Sequence, residues 1–248
     1  RTQLFYNDLR LGRGFVEALI MKNGKFNTSI SALETYRKDP LQFFLRYVLK
    51  FYEIEYPEFG PLHLGNINHD ALEQYLSGNP KEITLWDDFP KSIRIEMIQS
   101  RNEEMMKQNF FFIDGALEAT KFKPEYFEHT FAASDIFKGF DIAGKIDRID
   151  IYGDQFIIYD YKSSATSLST PKIANGEQLQ LLTYGFILEQ ILNKDMLGVY
   201  YYALRNPNIL TDTYKFTRRL GIEEVDNYIE FDWIKKKQYM GFLFDHVY

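Results

Sequence analysis

The sequence has 248 residues, 45% of them hydrophobic, enough for one domain with a sizeable core, with or without a helical attachment. It has no cysteine, which excludes disulfides, thiolate zinc sites, iron–sulfur clusters and cysteine nucleophiles. The net charge of -6 runs against the basic balance common in nucleic-acid-binding domains, and leaves open both a carboxylate-rich metal site and an ordinary acidic soluble domain.

Residues 1–27 carry mixed signals, and the chain opens at Arg1 rather than Met, as in a fragment of a longer protein or a processed product. From Ser29 a helical pattern begins. Ser31 is the expected cap, with Glu34 as its reciprocal partner. Pro40 interrupts the pattern and predicts two helices or one kinked helix. Residues 63–77 and 91–119 read as two more helices, separated by a loop at Gly78 and Pro80.

After Glu125 the period shortens. Strands are predicted over 127–133, 139–151 and 155–162, with Gly153-Asp154 turning a hairpin between the last two. Residues 165–176 read as a loop, 177–192 as a helix, 196–204 and 211–217 as strands, and 222–240 as a helix. The order predicts one mixed α/β or α+β domain over 1–248. Its parts are a helical portion (29–119), a sheet core (125–205) and a C-terminal helix (222–240). No signal-peptide pattern and no membrane-length apolar run is present, so a cytoplasmic location is expected.

The most informative stretch is "GKIDRIDIYGDQFIIYDYK", residues 144–162. Asp147 and Asp160 are equidistant from the turn centre, so a symmetric hairpin sets them opposite each other, with Cβ atoms about 5 Å apart. Two carboxylates that close repel unless a proton or cation lies between them, and magnesium is a hard cation suited to oxygen ligands. Lys162 shares the strand face of Asp160, where its ammonium can orient water or offset phosphoryl charge. The plainer alternative is a structural salt bridge with Lys162 or Arg148. Asp150 shares the face of Arg148, opposite Asp147, and is left outside the site.

The same stretch resembles the nuclease motif of the RecB-like branch of the PD-(D/E)XK superfamily, especially AddB-type helicase–nuclease subunits. The matching positions are Asp147, Asp160 and Lys162. "SISALETYRKDPLQFFLRYVL" (29–49) is similar to the segment that opens these domains. "GNINHDALEQY" (65–75) resembles the helix bearing their metal-binding His, here His69. "GEQLQLLTYGFIL" (176–188) resembles their Gln-and-Tyr motif, here Gln180 and Tyr184. The resemblance implies a restriction-endonuclease-like mixed sheet flanked by helices. It implies metal-dependent DNA hydrolysis, of an exonuclease kind, in repair or recombination. The metal is magnesium, or manganese, held by His69, Asp147, Asp160 and the Tyr161 carbonyl. Glu128 is a further candidate, against a solvent-facing role on an edge strand. Gln180 and Tyr184 are candidates for DNA contact or support of the lysine, against helix surface and core.

AddB-type domains carry cluster-binding cysteines, the first of which falls near Asp39; with no cysteine, this chain cannot hold an iron–sulfur cluster. Arg218-Arg219 and Lys235-Lys236-Lys237 are candidate contacts to DNA backbone, against ordinary solvated faces. No Walker-type loop is present, so the expected partners are DNA and a helicase subunit, or a helicase region of a longer parent chain. The competing reading is a non-catalytic DNA-binding or assembly module that keeps the fold.

Overall fold

A computed structural model describes residues 21–22, 24–52, 59–78, 86–164, 166, 169–205 and 207. The expected strand over 211–217, the helix over 222–240 and both basic runs lie outside the described residues. Among the described residues no helix is long and apolar enough to cross a membrane.

The described chain begins with a short antiparallel pair, β1 (Met21–Lys22) and β2 (Lys25–Ser29). Helix α1 (Ile30–Lys38) starts directly from β2. Its cap is Ser29, not Ser31: the Ser29 hydroxyl accepts the Ala32 N–H at 3.2 Å. Pairing of β2 holds the chain extended through Ser29, so the helix can begin no earlier than Ile30. Pro40 breaks the pattern as expected and opens α2 (Pro40–Phe43), which runs into a π turn over Phe44–Val48. Asp39, where the resemblance places a cysteine, caps α2: its carboxylate accepts the N–H groups of Leu41 and Gln42, each at 3.0 Å.

Helices α3 (Pro61–Leu76) and α4 (Ile93–Ala119) follow. Then come β3 (Lys123–Phe137), β4 (Phe140–Tyr152) and β5 (Gln155–Lys162), a meander whose second turn is at Gly153-Asp154. The stretch expected as a loop holds a short helix, α5 (Thr170–Ala174), with Pro171 in its first turn where its missing N–H costs nothing. Helix α6 (Gln180–Leu192) and strand β6 (Asp195–Ala203) complete the described fold.

The result is an α/β fold with a six-stranded mixed sheet in the order β1-β2-β4-β5-β6, with β3 on the other edge of β4. Strand β4 organises it. Along one edge it pairs antiparallel with β3. Along the other it pairs in parallel with β2 over Phe140–Ala143 and antiparallel with β5 over Arg148–Tyr152. Between these partners, residues 144–147 of β4 face no strand on that edge. The carboxyl ends of β2 and β5 both arrive at this notch, the kind of strand-end crevice where open sheets bind ligands.

The core lies on both faces of the sheet. Ile142, Ile146, Ile149, Phe156 and Ile158 pack with Leu181, Tyr184, Ile187 and Leu188 of α6. Ala71 and Leu72 of α3 and Met106 and Ile113 of α4 pack with Tyr161 and Tyr202. Phe122, Ile157, Tyr159 and Tyr200 form a third cluster. The alternation along β5 follows from its pleat, and burial on both sides explains why "FIIYDY" reads as a nearly unbroken apolar run.

Candidate metal centre at the sheet notch

Three elements deliver ligand atoms to the notch. His69 comes from α3, Glu128 from β3 and Asp147 from β4, and one ligand atom of each lies within 4.8 Å of the others. His69 Nδ1 is 3.1 Å from Glu128 Oε1 and 3.4 Å from Asp147 Oδ1. Helix α3 is held over the sheet by Ile67, Ala71 and Leu72, all buried on its inner side, and this sets the height of His69. The edge of the His69 ring also meets the Tyr161 ring, with centroids 5.8 Å apart.

Glu128 reaches the site through an unusual backbone. Its neighbours Phe127 and His129 pair with Arg148 and Ile146, so Glu128 stands across from Asp147. Its φ is +44°, a left-handed conformation that costs a residue with a Cβ of order 1–3 kcal/mol. The carboxylate so placed pairs with both His69 and Lys145.

Asp147 divides its two oxygens. Oδ2 accepts the backbone N–H of Tyr161 at 2.7 Å, and Oδ1 faces His69. The backbone register of β4 with β5 follows the symmetric hairpin from Tyr152 opposite Gln155 to Arg148 opposite Tyr159 and stops one pair short of Asp147 and Asp160. Asp160 itself stands outside the three-residue cluster. It is buried, and its Oδ2 pairs with the Lys162 ammonium, which sits 5.5 Å from the centre of the Tyr201 ring. On the opposite side of the strand, Arg148 and Asp150 form a buried bidentate pair, at 2.6 and 2.5 Å, away from the cluster.

The electrostatics are those of a cation site. Burial pulls the His69 imidazole down, but Asp147 and Glu128 outweigh it and push its pKa up to about 10. Burial raises the Glu128 carboxyl, yet His69 and Lys145 hold it below its usual range. Burial pushes Asp160 up to about 6, helped by Asp147 and opposed by Lys162 and His69. The carboxylates thus gather a protonated imidazole and an ammonium. Two carboxylate oxygens and one imidazole nitrogen at this spacing also fit a divalent cation in place of those charges.

Helix α6 closes the other side. Burial raises the pKa of the Tyr184 hydroxyl, and Gln180 and the Lys145 backbone beside it oppose the rise. The Tyr184 ring meets Phe131 edge-on at 5.0 Å. A Cβ on Gly144 would lie 2.6 Å from Phe131 and 2.8 Å from Tyr184, so only glycine lets β4 approach these rings. Tyr184 therefore packs on the strand that carries Asp147, against its backbone at Gly144.

Two residues were not singled out from the sequence as part of this region. Lys145 lies beside Asp147 in "GKID", and strand alternation was the signal that could have found it. Glu34 accepts the N–H groups of Leu179 and Gln180, at 2.5 and 3.0 Å, and so caps α6 from a helix far away in sequence. No local pattern announces that contact.

The chain is 27% identical over 243 residues to an ATP-dependent helicase/deoxyribonuclease subunit of Carboxydothermus hydrogenoformans, covering 80% of this chain and 22% of the relative. It is 26% identical over 216 residues to the corresponding subunit of Lachnoclostridium phytofermentans, covering 72% and 19%. With that of Leuconostoc mesenteroides it shares 27% over 228 residues, covering 78% and 19%. The chain thus spans about a fifth of the length of these curated relatives. The sequence model of the PD-(D/E)XK nuclease superfamily matches residues 27–236, most of the chain, and the chain belongs to that superfamily.

Proposed function

We propose that this chain hydrolyses DNA phosphodiester bonds with magnesium, or manganese in its place, as an exonuclease in repair or recombination. The observation that carries the reading is the meeting of His69, Glu128 and Asp147 from three separate elements, beside the ion pair of buried Asp160 with half-buried Lys162. A structural salt bridge needs no third element, and it gives no reason for a strained Glu128.

When bound, the cation would polarise the scissile phosphate and lower the pKa of an attacking water. His69, Glu128 and Asp147 would hold it, joined by Asp160 and the Tyr161 carbonyl at the end of β5. Asp147 keeps Oδ1 for that task because Oδ2 is committed to the Tyr161 N–H. Lys162 would steady the attacking water and the charge that develops on phosphorus-bound oxygen. Gln180 and Tyr184 would support the strand and meet the DNA backbone.

The relatives are named as helicase/deoxyribonuclease subunits. This sequence has no Walker-type loop, so unwinding would come from a partner subunit or from another region of a longer chain. The decisive experiment is cleavage of end-labelled single- and double-stranded DNA with magnesium, manganese or EDTA, with Asp160→Ala as control. Metal-dependent loss of label that the substitution abolishes is expected. No cleavage by the wild type under any metal would instead favour a non-catalytic DNA-binding or assembly module.

A further inference from the structure

The β4 segment along the notch carries a cation that the proposed chemistry does not use. Lys145 pairs with Glu128, yet 55% of its side chain remains in solvent, against 14% for Glu128. Its main chain is fixed, because Lys145 is paired with Thr130 of β3 inside the sheet. A long, mostly exposed side chain on an anchored backbone can swing its ammonium through several ångströms without disturbing the sheet.

Glu128 meets Lys145 through Oε2 and His69 through Oε1. A divalent cation held at Oε1 would draw off carboxylate charge and weaken the hold of Glu128 on the ammonium. On the reading above, the substrate arrives with phosphates on both sides of the scissile bond. An ammonium is a compact point charge and suits phosphate oxygen regardless of base sequence.

We propose that Lys145 is a backbone-phosphate clamp: it neutralises Glu128 in the metal-free site and moves to a phosphate next to the scissile one when metal and nucleic acid enter. This rests on the nuclease reading and adds a binding residue to it. Metal and nucleic acid should therefore bind synergistically, because each removes a competitor or a cost for the other.

The test measures binding of a labelled single-stranded DNA oligonucleotide by the whole chain, with calcium in place of magnesium to hold back cleavage, across a salt series. Lys145→Met keeps most of the stem, and Lys145→Arg keeps the charge. Lys145→Met should weaken binding about fivefold at about 0.15 M salt and reduce the salt slope by about one, the signature of one lost phosphate contact. Lys145→Arg should restore the slope. Manganese affinity without DNA should rise in Lys145→Met, since a competitor for Glu128 is gone. If Lys145 only balances Glu128, metal affinity will change and the slope will not, which overturns the clamp while wild-type cleavage stands. A wild type that neither binds nor cleaves DNA overturns the nuclease reading and the clamp together.

Discussion

The backbone N–H of Tyr161 donates to Oδ2 of Asp147 at 2.7 Å, so one acidic side chain both ties β5 to β4 at the notch and offers its second oxygen to the metal centre. These two roles separate by substitution. Asp147→Asn keeps an oxygen acceptor but loses the charge, so it should fold normally and lose divalent-cation affinity and cleavage. Asp147→Ala also leaves the Tyr161 N–H unsatisfied and should melt earlier, by about 1–3 kcal/mol relative to Asp147→Asn. Chemical denaturation of both proteins alongside cleavage assays checks this. Equal stability of the two would mean the hydrogen bond does not hold the strands.

Metal uptake should release a proton from His69. Its pKa is pushed up to about 10 by Asp147 and Glu128 against the pull of burial, so a cation that takes the imidazole nitrogen must displace that proton. Manganese affinity should climb as pH rises from about 7 toward 10, with calorimetry in buffers of different ionisation enthalpy showing the released proton. In the metal-free protein the sign reverses. The raised pKa stabilises the fold fully below the ordinary value of 6.5, and that contribution is lost as pH rises through about 10. A manganese affinity flat over this range would remove His69 from the ligand set.

The hairpin was legible because its information is local. A Gly-Asp turn between apolar strands fixes the register, and the pairs from Tyr152–Gln155 to Arg148–Tyr159 follow by counting. The notch was not legible, because it depends on β2, a polar five-residue strand whose parallel partner β4 lies far along the chain. The α1 cap lies at Ser29, the last paired residue of β2, two residues before Ser31. Nothing in "YFEHTF" marks Glu128 for a left-handed backbone, since residues that favour that conformation are glycine, Asn and Asp. Long-range pairing and strain are where the local pattern runs out, and both converge on the site.

Glu34 gives a prediction about support rather than chemistry. It supplies the cap that Leu179, with no side-chain acceptor, cannot, and its charge faces the positive end of the α6 dipole. Glu34→Ala should cost about 1 kcal/mol, and Glu34→Gln, which keeps an acceptor oxygen, should recover most of it. Because α6 carries Gln180 and Tyr184, cleavage should fall in Glu34→Ala and return in Glu34→Gln. A melting curve unchanged by Glu34→Ala would show that the helix start is held by other contacts.

Lys162 separates an enzyme from an inert scaffold. Its ammonium pairs with Asp160, so removing it leaves a buried carboxylate without that partner. The carboxyl has an escape, because burial and Asp147 already lift it to about 6, and it can bind a proton. Losing Lys162, which opposes that lift, should raise the carboxyl further, so Lys162→Met should be less stable than wild type at pH above about 6 and draw level as pH falls below that value, where the carboxyl is neutral in both proteins. If Lys162 serves only to neutralise Asp160, a bound divalent cation does the same, and saturating magnesium should restore turnover in the variant. If the ammonium acts on the water or on the developing charge, saturating metal cannot replace it. Single-turnover cleavage should then stay about 10²–10⁴-fold below wild type, the span of a positioned acid–base group. Lys162→Ala should behave like Lys162→Met, which keeps the stem against Tyr201 and so separates lost packing from lost charge. Wild-type cleavage rates in both proteins at saturating metal would refute the role.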